Sequence, residues 1–264
     1  MMRYDLPPGG ESAMNKRLTL VALTVSVLFG LAATVDGKVL KAEINHSDVA
    51  DPVEAKLLPG EMFDAANLPP GATGDQNNWY KIPKWLAGTW HKDSQTNSYQ
   101  YNYVTGQEDN TAHTVMAKGN GVWGTQTDAL GEIWEFNPAP YVDTVDGDSD
   151  TIIQLIRSSE PLEVSADRFV KNTLDTQLRV DKTTRRIKTV QTAEQISTYT
   201  IDSPGVLKRE TSSKVFDHTG KPLMLARSIA FESKIAEYQP RDMINGKNLK
   251  SLFQEYIDQN KSVD

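Results

Sequence analysis

The chain has 264 residues, of which 28 are lysine or arginine and 35 are aspartate or glutamate, so its formal net charge is −7. The charges are mixed along the chain, and the lack of a clustered basic surface argues against a nucleic-acid partner. The absence of cysteine excludes thiol catalysis, structural disulfides, iron–sulfur clusters and cysteine-ligated zinc.

The first predicted element is an export signal over residues 1–37. A basic segment, Asn15-Lys16-Arg17, precedes an apolar run over residues 18–33, and small residues follow that run. This order is the pattern that a signal peptidase recognises. A retained single-span anchor is the alternative, because an apolar run of this length is near the lower limit for crossing a bilayer. With cleavage, the sequence predicts a periplasmic or secreted protein without a stable membrane span.

The next two regions differ in their patterning. Residues 38–78 show no sustained period and contain several prolines and glycines, which is typical of an extended lead-in. Residues 79–240 consist of short alternating runs rich in Thr, Val, Ile and aromatic residues, separated by turn residues such as those around Gly119-Asn120-Gly121. This pattern predicts an antiparallel all-β domain, either a closed barrel or a two-sheet sandwich.

The last region, residues 241–264, predicts an amphipathic helix followed by a short tail. Its apolar residues recur at helical spacing, and Asn245 or Asn248 precedes them as a candidate N-cap. We expect the apolar face to pack on the outside of the sheet. The residues on that face are Leu249, Leu252, Phe253, Tyr256 and Ile257.

Residues 85–90 read Trp-Leu-Ala-Gly-Thr-Trp and stand at the start of the first clear strand. This segment resembles the Gly-x-Trp opening of calycins, the barrels that include the lipocalins, with Gly88 and Trp90 at the motif positions. The order of lead-in, strands and terminal helix is similar too. The resemblance implies a calycin-like barrel in which Gly88 permits a tight turn and the Trp90 indole plugs the closed end. The chain departs from the family in having no disulfide cysteines and more candidate strands.

Alternate residues of each strand would line the interior of a barrel. The aromatic residues among them would suit a small apolar or amphipathic ligand. Alternatively, the tyrosines form a packed face of the core or an exposed row of aromatic side chains, and no ligand site. A strand histidine pointing inward would be the group needed for a haem-type ligand, but no cofactor is identified. The predicted ligand-binding residues are Tyr101, Tyr103, His113, Trp123 and Trp134.

An acidic segment offers a calcium candidate. Asp146, Asp148 and Asp150 have the spacing with which calcium loops begin, but Thr151 and Arg157 stand where the EF-hand pattern needs glycine and glutamate. The alternative is a solvated hairpin tip.

Three functions remain open from the sequence. The first is an exported lipocalin-like protein that binds a small apolar or amphipathic ligand in its interior. The second is a non-catalytic cell-envelope module with a filled barrel that binds a protein partner. The third, which the sequence favours least, is a hydrolase or isomerase built in the same cavity, since no catalytic motif is present.

Overall fold

The computed structural model describes residues 46–69, 72, 74–244 and 246–261. The predicted export signal over residues 1–37 and the first part of the lead-in lie outside these residues. The fold is all-β and antiparallel with a C-terminal helix, as the alternating sequence pattern predicted.

The strands belong to one nine-stranded sheet, one three-stranded sheet and one two-stranded pair. In chain order they are β1 (Asn78–Ile82), β2 (Gly88–Asn102), β3 (Glu108–Asp109), β4 (His113–Trp123), β5 (Gln126–Thr127), β6 (Ile133–Asn137), β7 (Tyr141–Asp146), β8 (Asp150–Val164), β9 (Arg168–Asp181), β10 (Ile187–Ser203), β11 (Val206–Phe216), β12 (Pro222–Ala236), β13 (Met243–Ile244) and β14 (Lys247–Asn248).

The nine-stranded sheet is mainly a meander. Strands β7 to β12 are neighbours in chain order, and β2 adds to β12 and carries β3 and β4 on its other side. Within the described part of the chain no ladder joins β7 to β3 or β4, so the sheet is not closed into a barrel. The prediction of a closed barrel is therefore wrong. What the strands build is a set of antiparallel sheets compatible with a sandwich or barrel-like fold.

The three-stranded sheet, in the order β1-β6-β5, supports the helix α1 (Leu249–Lys261). Asn248 caps the helix, because its side-chain oxygen accepts a hydrogen bond from the Ser251 backbone N–H at 3.0 Å. The apolar face packs on this sheet, with the ring centroids of Phe253 and Trp79 4.8 Å apart. The helix thus covers the outer face of the small sheet.

The described start of the lead-in, residues 46–69, packs on the main sheet, and we call this segment the strap. It contains two short 3-10 turns, Ala55–Leu57 and Ala65–Asn67. Leu57 is fully buried in a cluster with Leu178 and Val190 of the main sheet. This burial removes apolar surface of both the strap and the sheet from water. No helix among the described residues is long and apolar enough to cross a membrane.

Candidate functional site

The Gly-x-Trp segment lies at the start of β2, and Trp90 packs in a buried cluster with Trp123 and Phe169. Trp90 is buried, and its indole N–H donates a hydrogen bond to the Leu86 carbonyl oxygen at 2.8 Å. Gly88 has a φ of +131°, and a Cβ there would lie 2.7 Å from the Ala236 carbonyl oxygen. A residue other than glycine would therefore be strained and would overlap its neighbour.

A cavity of about 270 Å³ lies next to this cluster, between the main sheet and strands β1 and β6. Strands β2, β4 and β7 to β12 contribute its lining from the main sheet. The lining combines aromatic rings, cations, carboxylates and amides. Its aromatic residues are Tyr80, Trp123, Phe136, Tyr141 and Tyr199, and its charged residues are Lys92, Lys171, Arg209, Glu135 and Glu232.

Two glycines on β4 leave room for the cavity. Gly119 pairs with Lys92, and Gly121 pairs with Trp90, so both lie in a continuous ladder between β4 and β2. The turn predicted at Gly119-Asn120-Gly121 is thus a strand interior. Glycine inside a strand often marks a place where another group approaches closely. A Cβ at Gly121 would meet only the Trp123 and Glu232 side chains, at 3.8 and 3.9 Å.

The apolar wall of the cavity is centred on Trp123. Its ring packs edge-on against Tyr199 at 5.1 Å and against Phe169 at 5.5 Å between centroids. The ammonium group of Lys171 lies 5.1 Å from the centroid of the Trp123 ring, a distance typical of a cation–π contact. Trp123 therefore joins the hydrophobic core to the charged part of the cavity.

The two carboxylates of the cavity are each held by an arginine. Glu232 Oε1 lies 3.1 Å from Arg209 Nε, with both side chains largely buried. Glu135 accepts a hydrogen bond from the Gly124 backbone N–H at 2.7 Å and has the Arg241 guanidinium 3.6 Å away. Burial raises the pKa of Glu135, against the opposite effect of Arg241.

The two lysines are not paired in this way. In the part of the chain that the structure describes, neither the Lys92 nor the Lys171 amine has a carboxylate within 4.0 Å. Burial and the charge of Arg209 together lower the pKa of Lys92 to about 8, against the opposite effect of Glu232. Burial also lowers the pKa of Lys171. Glu232 for Lys92 and Glu135 for Lys171 act in the opposite direction, but both carboxylates lie beyond ion-pair distance of the amines.

The structure brings one of the five predicted ligand-binding residues, Trp123, into the cavity lining. Trp134 packs on the helix instead, 5.8 Å from Phe253 and from Tyr256 between ring centroids. Its indole N–H donates to the Asp128 carboxylate at 2.9 Å. Trp134 therefore stabilises the packing of the helix on the small sheet and does not face the cavity.

The other three predicted residues lie elsewhere. Tyr101 pairs with Leu225, and Leu225 pairs with Lys214, so Tyr101 lies on the face opposite Arg209 of the cavity. Tyr103 contacts Tyr101 edge-on at 4.9 Å and is partly exposed. His113 is exposed on β4, with its ring 3.8 Å from the Asp109 carboxylate.

Sequence reasoning missed the basic residues of the cavity. The sequence did carry a signal for them. Each charged side chain stands two residues after a buried aromatic or aliphatic side chain on the same strand, so both point to the same face. Lys171 follows Phe169 in this way on β9, and Arg209 follows Leu207 on β11. Such a pattern is rare unless a partner or a ligand compensates the charge.

The acidic segment makes other contacts than those of a calcium loop. Asp146 accepts a hydrogen bond from the Thr151 hydroxyl at 2.8 Å, and Asp150 lies in an ion pair with Lys188. Asp148 lies in the exposed hairpin tip between β7 and β8. Among the described residues no three His, Cys, Asp or Glu side chains come together in a group that could hold a metal ion.

A second polar cluster fastens the strap on the other face of the main sheet. His46 lies 3.1 Å from the Glu194 carboxylate through Nδ1 and 2.8 Å from the Ser212 hydroxyl through Nε2. The order of hydroxyl, imidazole and carboxylate is that of a hydrolase triad. Ser212, however, is 1% exposed, so its hydroxyl does not face solvent in this structure. The cluster is a clasp for the strap.

The clasp makes attachment of the strap sensitive to acid. Burial lowers the pKa of His46, although its bond with Glu194 acts in the opposite direction. The pKa of a histidine in an unfolded chain is about 6.5. Neutral His46 therefore stabilises the attached strap above that pH, and this stabilisation is lost as the pH falls below it. We expect the protection factors of the amides over residues 47–60, which are corrected for the intrinsic pH dependence of exchange, to fall between pH 7.5 and pH 5, and His46→Ala to lower them already at pH 7.5.

The control for this prediction is His113→Ala, which removes an exposed histidine that also lies beside a carboxylate. Exchange in the strap should be unchanged in this variant. Equal protection factors in the strap at both pH values in the unmodified protein would contradict the clasp.

No family model matches this chain, and no curated protein or solved structure does. The likeness to calycins therefore rests on the Gly88-x-Trp90 segment and on the order of elements.

Proposed function

We propose that this protein binds a small amphipathic molecule in the cavity beside Trp123. The observation that supports the proposal is the composition of the lining, which has aromatic rings on one side and charged groups on the other. Ligand pockets combine apolar walls with a few polar groups in this way. The volume of about 270 Å³ is just below the usual range for such sites, so it suits a small molecule better than a long acyl chain.

The alternative of a filled interior that serves only to bind a protein partner has less support. A filled interior would need side chains at the cavity positions of β4, where Gly119 and Gly121 stand. Catalysis also has less support, because Glu135 and Glu232 are each engaged by an arginine. We further propose that binding takes place outside the cytoplasm, in the periplasm or after secretion. The support for this is the basic, apolar and small-residue order of residues 15–37.

The test is to fill the cavity without disturbing the backbone. Gly121→Leu is suitable because a Cβ at this position meets only side chains at ordinary contact distances. The full chain is expressed with its own N-terminus in a bacterial host, and an organic extract of the purified protein is analysed by mass spectrometry. We expect a near-stoichiometric small molecule from the unmodified protein and at least about tenfold less from Gly121→Leu, because the leucine occupies the binding volume.

The matched control is Thr114→Leu, which adds a leucine at an exposed position of the same strand. It should retain the molecule. Loss of the molecule from both variants would mean that the site is elsewhere. An empty extract from the unmodified protein, together with no binding of added small aromatic molecules, would overturn the proposal.

A further inference from the structure

The charges that line the cavity do not cancel. Three cations, Lys92, Lys171 and Arg209, face two carboxylates, Glu135 and Glu232. One of these carboxylates already pairs with Arg209 of the lining. The other is held by Arg241, which is not part of the lining. Among the described residues, the cavity therefore keeps two ammonium groups without a carboxylate at ion-pair distance, and that of Lys92 donates only to the Gln95 amide oxygen at 3.4 Å.

An unpaired ammonium group in a cavity raises the free energy of the folded protein, because the charge has lost part of its hydration. The lowered pKa values of both lysines reflect this cost. A protein can remove it with a side-chain carboxylate, and here none lies within ion-pair distance in the described residues. A ligand with a negative charge would supply the same compensation.

The position of Lys171 suggests where the charge of a ligand would lie. Its ammonium group lies over the Trp123 ring, so an acid group bound to it would bring the rest of the molecule against the aromatic wall. Lys92 belongs to β2 at the other side of the Arg209–Glu232 pair. Its charge adds to the attraction for an anion anywhere in the cavity.

We propose that the ligand is a small organic anion, with a carboxylate or a phosphate bound to the ammonium group of Lys171 and an apolar ring against Trp123. This inference rests on the proposed function, since it names the class of molecule that the cavity takes. It excludes neutral apolar molecules as the preferred ligand.

The experiment compares matched acids and amides. Phenylacetate, indole-3-acetate and phenyl phosphate are titrated into the full protein, beside phenylacetamide and indole-3-acetamide, and dissociation constants are obtained from tryptophan fluorescence and calorimetry. We expect each carboxylate to bind at least about tenfold more tightly than its amide, as for a charge-assisted hydrogen bond formed away from water. Tighter binding of phenyl phosphate than of the carboxylates would assign the acid group as phosphate, and the reverse order as carboxylate.

Two variants locate the acid group. Lys171→Met keeps the aliphatic stem and should bring acid and amide to within about threefold of each other, while Lys171→Arg should retain the preference. The matched control is Lys81→Met, because the Lys81 ammonium group lies 5.2 Å from the Trp134 ring centroid but outside the cavity lining. The control should bind like the unmodified protein.

The outcomes separate the two proposals. Equal affinity for acids and amides in the unmodified protein would overturn anion recognition and leave the cavity as a binding site. An acid preference that persists in Lys171→Met would overturn the assignment to Lys171. If no acid and no amide binds, the proposed function fails, and this inference fails with it.

Discussion

Gly88→Ala is expected to lower the free energy of unfolding by about 3 to 5 kcal/mol, a large effect for one methyl group. Two causes add at this position. The φ of +131° is strained for any residue with a side chain, and the new Cβ would lie 2.7 Å from the Ala236 carbonyl oxygen and 2.8 Å from Lys234 Cε. The ladder between β2 and β12 must open to relieve the overlap. The measurement is the urea unfolding midpoint, followed by tryptophan fluorescence.

The control for Gly88→Ala is Gly106→Ala. Gly106 has a φ of +71°, but nothing lies within 4 Å of a Cβ built there. This variant has the backbone strain without the overlap, so we expect a loss of only about 1 to 2 kcal/mol. Equal losses in the two variants would show that the close approach to β12 does not matter. In that case the motif would act only through its backbone conformation.

The fold class was predictable because alternation and helical spacing are local properties of a sequence. The stripe that begins with Leu249 and Phe253 predicted the helix and its buried face, and those two side chains pack against Trp79 and Phe136. Closure of the sheet was not predictable in this way. It depends on whether the edge strands β7 and β4 meet, and no local pattern encodes that distance.

The cavity residues were harder to predict because strand parity does not carry across irregular pairing. The ladder between β2 and β12 shifts register between Arg227 and Ser228 and again beyond Ile229. A bulge reverses which face the following residues occupy. The sequence does not show where such bulges fall, so it gave no means of assigning Tyr101 to one face. Lys171 was missed for a different reason, since a search for apolar linings passes over buried charges.

Glu232→Met is expected to destabilise the protein by about 3 to 5 kcal/mol, because it leaves the buried Arg209 guanidinium without its carboxylate. The two side chains are 14% and 5% exposed, for Arg209 and Glu232 respectively. An arginine cannot lose its proton to relieve the cost, and Lys92 adds a like charge nearby. The control is Glu132→Met, which breaks the exposed ion pair with Lys84 and should cost less than about 1 kcal/mol.

Glu232→Met also tests whether the Arg209–Glu232 ion pair is purely structural or sets the charge of a binding site. Without Glu232 the cavity gains a third cation that no side-chain carboxylate compensates, so a bound acid would replace the missing charge. We therefore expect phenylacetate to stabilise Glu232→Met more than it stabilises the unmodified protein, and phenylacetamide to stabilise the two equally. The measurement is the unfolding midpoint with and without each probe. If the acid stabilised Glu232→Met no more than the amide did, the Arg209–Glu232 pair would be a structural element of the core, isolated from any ligand. An acid-specific gain would instead mean that this pair sets how many cations the cavity offers to an anion.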